Sequence, residues 1–112
     1  MSAAAATQFL EQRIYTLVPG GANEYLRLYA EVGRAPQERI IGEPVACYVR
    51  EFGELNQLIF VWPLESLAAR AEQRKALAAD PEFRRFRDGI RSLLLKQENS
   101  ILQRVSLPKA SA

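Results

Sequence analysis

Apolar and polar positions divide the first third of the chain into a strand and a helix. Residues 9–18 alternate with a period of two, which predicts a strand, and Pro19-Gly20-Gly21 ends it. From Ala22 to Val32 the apolar residues recur at helical spacing. The pattern therefore predicts a helix that ends near residues 33–36, followed by an irregular stretch to Gly42.

The middle of the chain carries the pattern of a β-hairpin. Pro44 introduces residues 45–52, which are rich in β-branched and aromatic side chains, and residues 56–62 form a second such run. Gly53-Glu54 lies between the two runs and marks a turn. We expect two antiparallel strands here.

The last part predicts a two-part helix and a final strand. Ser66 is suited to cap a helix, and Asp80-Pro81 restarts it, because Asp caps well and Pro is favoured at the first helical position. Apolar residues then repeat at helical spacing, with Gly89 among them: Phe83, Phe86, Ile90, Leu93 and Leu94. Residues 100–107 look extended, and Pro108 ends them.

The resulting order, βαββαβ, is typical of an α+β ferredoxin-like fold, a four-stranded antiparallel sheet with helices on one face. In that arrangement the first and third strands are central. We expect one domain over residues 8–107, with tails at 1–7 and 108–112.

The third strand is too apolar for one layer of helices to cover. Alternation puts Leu58, Phe60 and Trp62 on one face, while Ile59 and Val61 lie on the other. We therefore expect a homodimer packed sheet to sheet, with a higher homo-oligomer as the open alternative. Phe60→Arg or Trp62→Arg should disrupt the pair if that face is the shared one. The alternative is that the long second helix or an irregular segment covers the sheet.

The amino-acid composition excludes several classes of catalytic and metal-binding site. The 112 residues include no His and one Cys, so His-based triads, His or Cys zinc sites and an internal disulfide are excluded, and we expect neither metal nor cofactor. The net charge of +2 argues against a nucleic-acid partner. The longest apolar run, residues 58–64, is too short to span a membrane, and the lone thiol favours the cytoplasm.

Three segments carry a resemblance to a known family. EQRIYTLVPGGANEYL (11–26), GELNQLIFVWPLES (53–66) and ARAEQRKALAADPEFRRF (69–86) together resemble a NIPSNAP domain over about residues 8–105. The resemblance implies a dimeric α+β barrel built from ferredoxin-like protomers, and it implies no particular reaction. Members of the family usually carry His and often Tyr where this chain has Phe60 and Leu64, so chemistry that relied on those side chains is absent here.

A ligand pocket would lie between sheet and helices or at the dimer seam, lined by aromatic residues and a few polar groups. The candidates for ligand binding are Tyr15, Tyr48, Asn56, Trp62 and Arg74, with Arg13 and Tyr29 behind them. Tyrosine hydroxyls would donate hydrogen bonds, and an arginine would hold a carboxylate. The alternatives are that the aromatic residues are core, that Arg70 or Arg74 pairs with Glu72 or Glu43, and that Asn56 is a turn residue whose amide holds the hairpin.

Other chemistry-bearing residues favour structural explanations. Cys47 lies at an inward-facing position of the predicted strand, together with Val45 and Val49. A free cysteine at such a position behaves as a small buried apolar residue. Glu51 and Glu54 lie at a hairpin tip and are expected to be solvated. Arg84, Arg87 and Arg91 form a basic ridge, which we interpret as a solvated helix face.

The sequence thus predicts a homodimeric scaffold or small-molecule-binding domain. The alternative is a cofactor-independent enzyme of the monooxygenase or isomerase type that uses Tyr15, Tyr48 and Arg74.

Overall fold

A computed structural model describes residues 8–111, and the predicted tail at 1–7 lies outside this range. The four strands form one antiparallel sheet in the order β2-β3-β1-β4, so β1 and β3 are central, as predicted. The strands are β1 Phe9–Leu17, β2 Ala46–Val49, β3 Gln57–Leu64 and β4 Leu94–Gln103. The helices are α1 Gly21–Leu28, α2 Arg34–Ile41, α3 Leu67–Ala79 and α4 Pro81–Ile90. This is the ferredoxin-like α+β fold expected from the sequence.

The first helical segment is longer than predicted. A π-helical turn, Tyr29–Gly33, links α1 to α2, and the stretch expected to be irregular is helical as far as Ile41. Pro36 suggested that the helix ends there, because a proline nitrogen cannot donate a backbone hydrogen bond within a helix. The π turn shifts the hydrogen-bond register, so Pro36 falls in the first turn of α2, where that donor is not required.

The two-part helix is confirmed at both of its caps. Ser66 Oγ accepts a hydrogen bond from the Ala69 N–H at 3.0 Å and starts α3. Asp80 Oδ2 accepts from the Phe83 N–H at 2.9 Å and starts α4, with Pro81 at its first position. The chain therefore breaks between α3 and α4 where the sequence indicated.

The prediction for the last strand was wrong in its position. β4 begins at Leu94 instead of residue 100, and Leu93 and Leu94 are not part of α4, which ends at Ile90. The strand pairs with the whole of β1, from Phe9 opposite Gln103 to Leu17 opposite Leu94. Pairing with β1 sets its length, because all of β4 beyond Leu94 is exposed and carries no burial pattern of its own.

The helices cover one face of the sheet only. Leu58, Phe60 and Trp62 face them and belong to the core, together with Tyr25 and Phe86 from the helices. Phe60 and Trp62 are therefore not on the uncovered face, and arginine at either position would disrupt the core of the single chain. No helix among residues 8–111 has the length and apolar character needed to cross a membrane.

The other sheet face is bare and largely apolar. Strand alternation and the cross-strand register place Ile14 opposite Ile59, and Tyr48 opposite Ile59 on the other side. The central side chains on this face are half-buried, and Tyr48 is exposed. The apolar residues of this open face are Leu10, Ile14, Ala46, Tyr48, Ile59, Val61, Pro63 and Leu102.

Candidate functional site

A buried ion cluster lies on the helix-facing side of β1. Glu11 is only 2% exposed, and its two carboxylate oxygens accept hydrogen bonds from Arg70 Nε at 2.6 Å and Nη2 at 2.9 Å. Arg13 Nη1 donates to the same carboxylate at 2.8 Å. A bidentate guanidinium and a second cation thus hold one carboxylate, which fixes α3 against the sheet.

The pKa of Glu11 reflects two opposing effects. Burial alone would raise it, but the hydrogen bonds from Arg70 and Arg13 outweigh burial and hold the pKa below its ordinary value. Arg13 extends the cluster, since its Nε donates to the Tyr15 hydroxyl at 2.7 Å. Glu11, Arg13 and Tyr15 occupy alternate positions of one strand, so all three point to the same face.

Arg74 lies on the next turn of α3 and packs over an aromatic ring. Its guanidinium carbon is 5.7 Å from the ring centroid of Trp62, a cation–π distance. Trp62 stacks in turn on Phe60, with centroids 6.1 Å apart. Burial lowers the pKa of Arg74, and the nearby positive charge of Arg13 lowers it further. The Glu11 carboxylate acts against this lowering from a distance.

A cavity of about 310 Å³ opens between the sheet and the helices beside this cluster. Its inner wall is aromatic and buried, with Tyr15, Tyr25 and Phe86 packed together at centroid distances of 5.7 and 5.3 Å. Its outer rim carries exposed polar residues from α4 and β4, among them Arg87 and Gln97. The cavity thus combines an aromatic wall with a few inner polar groups and a polar mouth, the arrangement expected of a ligand site.

The structure brings together some of the residues predicted to bind a ligand. Tyr15 and Arg74 both line the cavity, and so does Arg13. Trp62 lies outside the cavity and beneath Arg74, and it is 4% exposed. Its indole N–H is a buried donor without an acceptor among residues 8–111.

Tyr48 and Asn56 are not part of this cavity. Tyr48 lies on the open face, opposite Ile59, and Asn56 lies in the hairpin loop. Asn56 has φ of 63°, in the left-handed region that Asn tolerates well, and its backbone carbonyl accepts from the Leu17 N–H at 2.8 Å. This backbone contact, and not the side-chain amide suggested by the sequence, joins the loop to the end of β1.

Tyr29 and Cys47 border a separate cleft near α1 and β2. Tyr29 donates to Gln37 Oε1 at 2.5 Å. The prediction that Cys47 is buried was wrong: it shares the helix-facing side with Phe60 but is exposed, because the helices do not reach the edge strand β2. Neighbouring atoms still desolvate the thiol and raise its pKa, so the reactive thiolate is not favoured.

The partner of Arg70 and the location of the arginines near the end of α4 differ from what the sequence suggested. Arg70 pairs with Glu11, not with Glu72 or Glu43, because the fold brings the start of α3 over β1. The ridge on α4 is exposed as expected, yet Arg87 and Arg91 also line the mouth of the cavity.

The sequence analysis missed Glu11, Gln37, Arg87 and Gln97 as site residues. One available signal was the pair of charges at alternate positions of a central strand, Glu11 and Arg13, on the face that also carries Tyr15. Charges at inward positions require partners, and two arginines one turn apart on a helix can provide them. No such signal marks Gln37 or Gln97, which reach the cavity only through the tertiary fold.

These features define a class: a ferredoxin-like α+β domain with a cation-rich cavity on the helix side of its sheet and an uncovered opposite face. The NIPSNAP family model matches residues 10–108, and the chain belongs to the NIPSNAP family.

Relatives and solved structures are similar over most of the chain. Human Protein NipSnap homolog 3A is 35% identical over 95 residues, which are 83% of this chain and 38% of the human protein. The chain thus spans about two-fifths of that curated relative. An uncharacterised NIPSNAP-like domain protein from Burkholderia xenovorans is 33% identical, with a TM-score of 0.83 and coverage of 91% and 89% of the two chains. A NIPSNAP family protein from Agrobacterium tumefaciens is 36% identical, with a TM-score of 0.83 and coverage of 89% and 88%.

A more distant structure shares the fold. A dimeric ferredoxin-like protein from an uncultured marine organism is 14% identical, with a TM-score of 0.67 and 94% of each chain covered. None of these relatives supplies a specific activity for the family.

Proposed function

We propose that the protein is a homodimer that binds a small molecule on the helix side of each sheet. The proposal rests on the difference in coverage between the two faces of the sheet. One face is covered by helices that leave a cavity of about 310 Å³, and the other is apolar and bare. We further propose a reducing, cytoplasmic location, which the single exposed thiol favours.

The open face supports a second copy as its occupant. Ile14, Ile59 and Val61 lie at the centre of the sheet and are only half-buried by their own chain. Covering apolar surface yields roughly 25 cal/mol per Å², and a two-fold axis lets an identical face cover it. Polar groups also lie on this face: Lys96 pairs with Glu98 at 3.3 Å on the edge strand β4, Glu98 lies opposite Ile14, and Gln12 lies opposite Val61.

A solved structure of the same fold also supports a dimer. The ferredoxin-like protein from an uncultured marine organism is described as dimeric.

The dimer is tested by placing a charge on the open face. Val61→Arg points into the proposed contact and should produce monomer in size-exclusion chromatography with light scattering. Leu67→Arg is the matched control, because Leu67 is an aliphatic residue on α3 that is already 66% exposed. A monomeric wild-type protein at micromolar concentration, or a Val61→Arg protein that stays dimeric, would contradict the proposal.

Binding fits this geometry better than the alternative of a cofactor-independent enzyme. That alternative uses Tyr15, Tyr48 and Arg74 together, but Tyr48 lies on the opposite face of the sheet from the other two. Burial also raises the pKa of Tyr25 well above its ordinary value, so this phenol in the cavity stays protonated. Tyr25 is thus a hydrogen-bond donor and not a general base.

A further inference from the structure

The charges around the cavity are unbalanced. Four guanidinium groups line it, and no carboxylate of residues 8–111 does: Arg13, Arg74, Arg87 and Arg91. Arg13 pairs at 2.8 Å with Glu11, a carboxylate that it shares with Arg70, and Arg91 pairs with Asp88 at 3.2 Å on the exposed side of α4. Arg74 and Arg87 form no ion pair with a carboxylate of the described residues, although Glu11 attracts Arg74 from farther away. The cavity thus carries more positive than negative charge.

Arg74 needs an anion more than Arg87 does, because Arg74 is less exposed to solvent. It is half-buried, and its guanidinium carbon lies 5.7 Å from the ring centroid of Trp62. The N–H groups of a guanidinium match the two oxygens of a carboxylate. An anion bound here would offset the burial of the charge and the repulsion from Arg13 and Arg70, the effects that lower the pKa of Arg74.

The wall beside these cations is suited to an apolar body. Tyr25, Phe83, Phe86 and Ile90 line the cavity, and each is at most 8% exposed. Gln37 adds a hydrogen-bond donor to the cavity. Its side-chain oxygen accepts from the Tyr29 hydroxyl, and its amide nitrogen has no acceptor among the described residues. A bare inorganic anion would leave the aromatic wall unused, whereas a neutral apolar molecule would leave the arginines unpaired.

We infer that the ligand is a small organic carboxylate, with its charged group on Arg74 and Arg87 and a single ring or short aliphatic chain against the aromatic wall. A volume of about 310 Å³ lies at the lower end of the range for ligand cavities and sets this size limit. The inference rests on the proposed function, because it names the ligand class of the same cavity.

Isothermal titration calorimetry at constant ionic strength tests the ligand class. The full chain is titrated with millimolar benzoate and hexanoate, with benzamide as a neutral analogue of benzoate, and with phenyl phosphate and inorganic phosphate. We expect the carboxylates to bind at least tenfold more tightly than benzamide.

Variants show whether binding occurs at this cavity. Arg74→Met and Arg87→Met should each weaken benzoate binding about tenfold or more. Arg85→Met on α4 and Lys75→Met on α3 are matched controls, since both residues lie outside the cavity lining, and they should bind as the wild type does. Circular dichroism confirms the fold of each variant, and Arg87, which is exposed, provides a test that does not depend on the packing of Arg74.

The outcomes separate the two proposals. If benzamide binds as tightly as benzoate and Arg74→Met has no effect, the cavity binds small molecules but the carboxylate class is wrong. If only the phosphates bind, the carboxylate class is again wrong. If none of the probes binds at millimolar concentration, both the carboxylate class and small-molecule binding at this cavity are contradicted.

Discussion

The least expected residue in the structure is Glu11, a carboxylate in the middle of a central strand that is nearly inaccessible to solvent. It is tolerated because Arg70 and Arg13 neutralise it and satisfy both of its oxygens. A buried ion pair adds little net stability relative to apolar residues, but removing one member leaves an uncompensated charge. Glu11 therefore acts chiefly to position two arginines, Arg13 beside the cavity and Arg70 on α3.

Glu11→Gln should destabilise the protein at pH 7. The substitution keeps the shape of the side chain but leaves Arg13, which is 12% exposed, without its anion. We expect a loss of about 3 kcal/mol in the free energy of unfolding, near the lower end for a broken buried pair because Arg70 still reaches solvent. Urea denaturation measures it. Glu98→Gln, which removes an exposed carboxylate on β4, is the control and should cost less than about 1 kcal/mol.

The same carboxylate predicts a dependence on pH. The folded-state pKa of Glu11 lies below its ordinary 4.5, so the ionised group stabilises the fold above that pH. This stabilisation is lost as the pH falls through the lower, folded-state pKa. The difference in stability between wild type and Glu11→Gln should thus be constant above about pH 5 and shrink below pH 4.5, as followed by urea denaturation across pH. A difference that grows on acidification would contradict this assignment.

At the scale of elements, the contact between the π-helical turn and α4 sets how closely the helices pack. Gly33 ends that turn, and a Cβ atom placed on it would lie 2.7 to 2.9 Å from ring carbons of Phe86. Phe86 is 2% exposed and packs against Tyr25 and Tyr29, so a shift of its ring would disturb these aromatic contacts. Glycine is required here by close approach and not by backbone conformation, since its φ is −89°.

Gly33→Ala should therefore destabilise the protein by roughly 1 to 3 kcal/mol, the usual cost of overpacking a core. Gly89→Ala is a matched control on α4, because its Cβ would meet Leu28 at an ordinary 3.7 Å. There the gain in helix propensity should raise stability by up to about 1 kcal/mol. Thermal unfolding of both variants measures the contrast. Equal effects of the two substitutions would show that the contact with Phe86 does not limit packing.

The whole molecule is a sheet with two unlike faces. The helix side is rich in aromatic packing and holds the cavity, whereas the open side exposes aliphatic residues of the central strands, among them Ile14, Ile59 and Val61. A second copy on the open side would complete the burial of these residues without touching the cavity. The two proposals, dimerisation and binding, can thus be tested separately.

Dimerisation predicts that stability depends on protein concentration. If two copies fold as a unit, mass action raises the melting temperature as concentration increases. We expect this rise for the wild type between about 1 and 100 µM, and no rise for Val61→Arg. Calorimetry at several concentrations measures it. A wild-type melting temperature that does not change over this range would count against an obligate dimer.

The sequence by itself determined the βαββαβ order of the fold, although not the π turn and α2. Alternation along β1 and β3, the caps at Ser66 and Asp80, and the apolar character of both faces of β3 are local properties, and each acts within a few residues. They were sufficient to predict the ferredoxin-like fold, and to predict that apolar side chains on one face of the sheet are not covered by the helices. Two of the residues proposed from the sequence to bind a ligand, Tyr15 and Arg74, line the cavity between sheet and helices, and their role in binding stays a prediction.

The tertiary structure decided the rest. β4 takes its bounds from pairing with β1, and the π turn that carries the helix past Pro36 depends on packing against α4. The partner of Arg70 is 59 residues away in sequence, and Gln97 reaches the cavity from the opposite end of the chain. Such contacts depend on how elements dock, and the free energy that selects one docking comes from the whole core, so no short stretch of sequence reveals it.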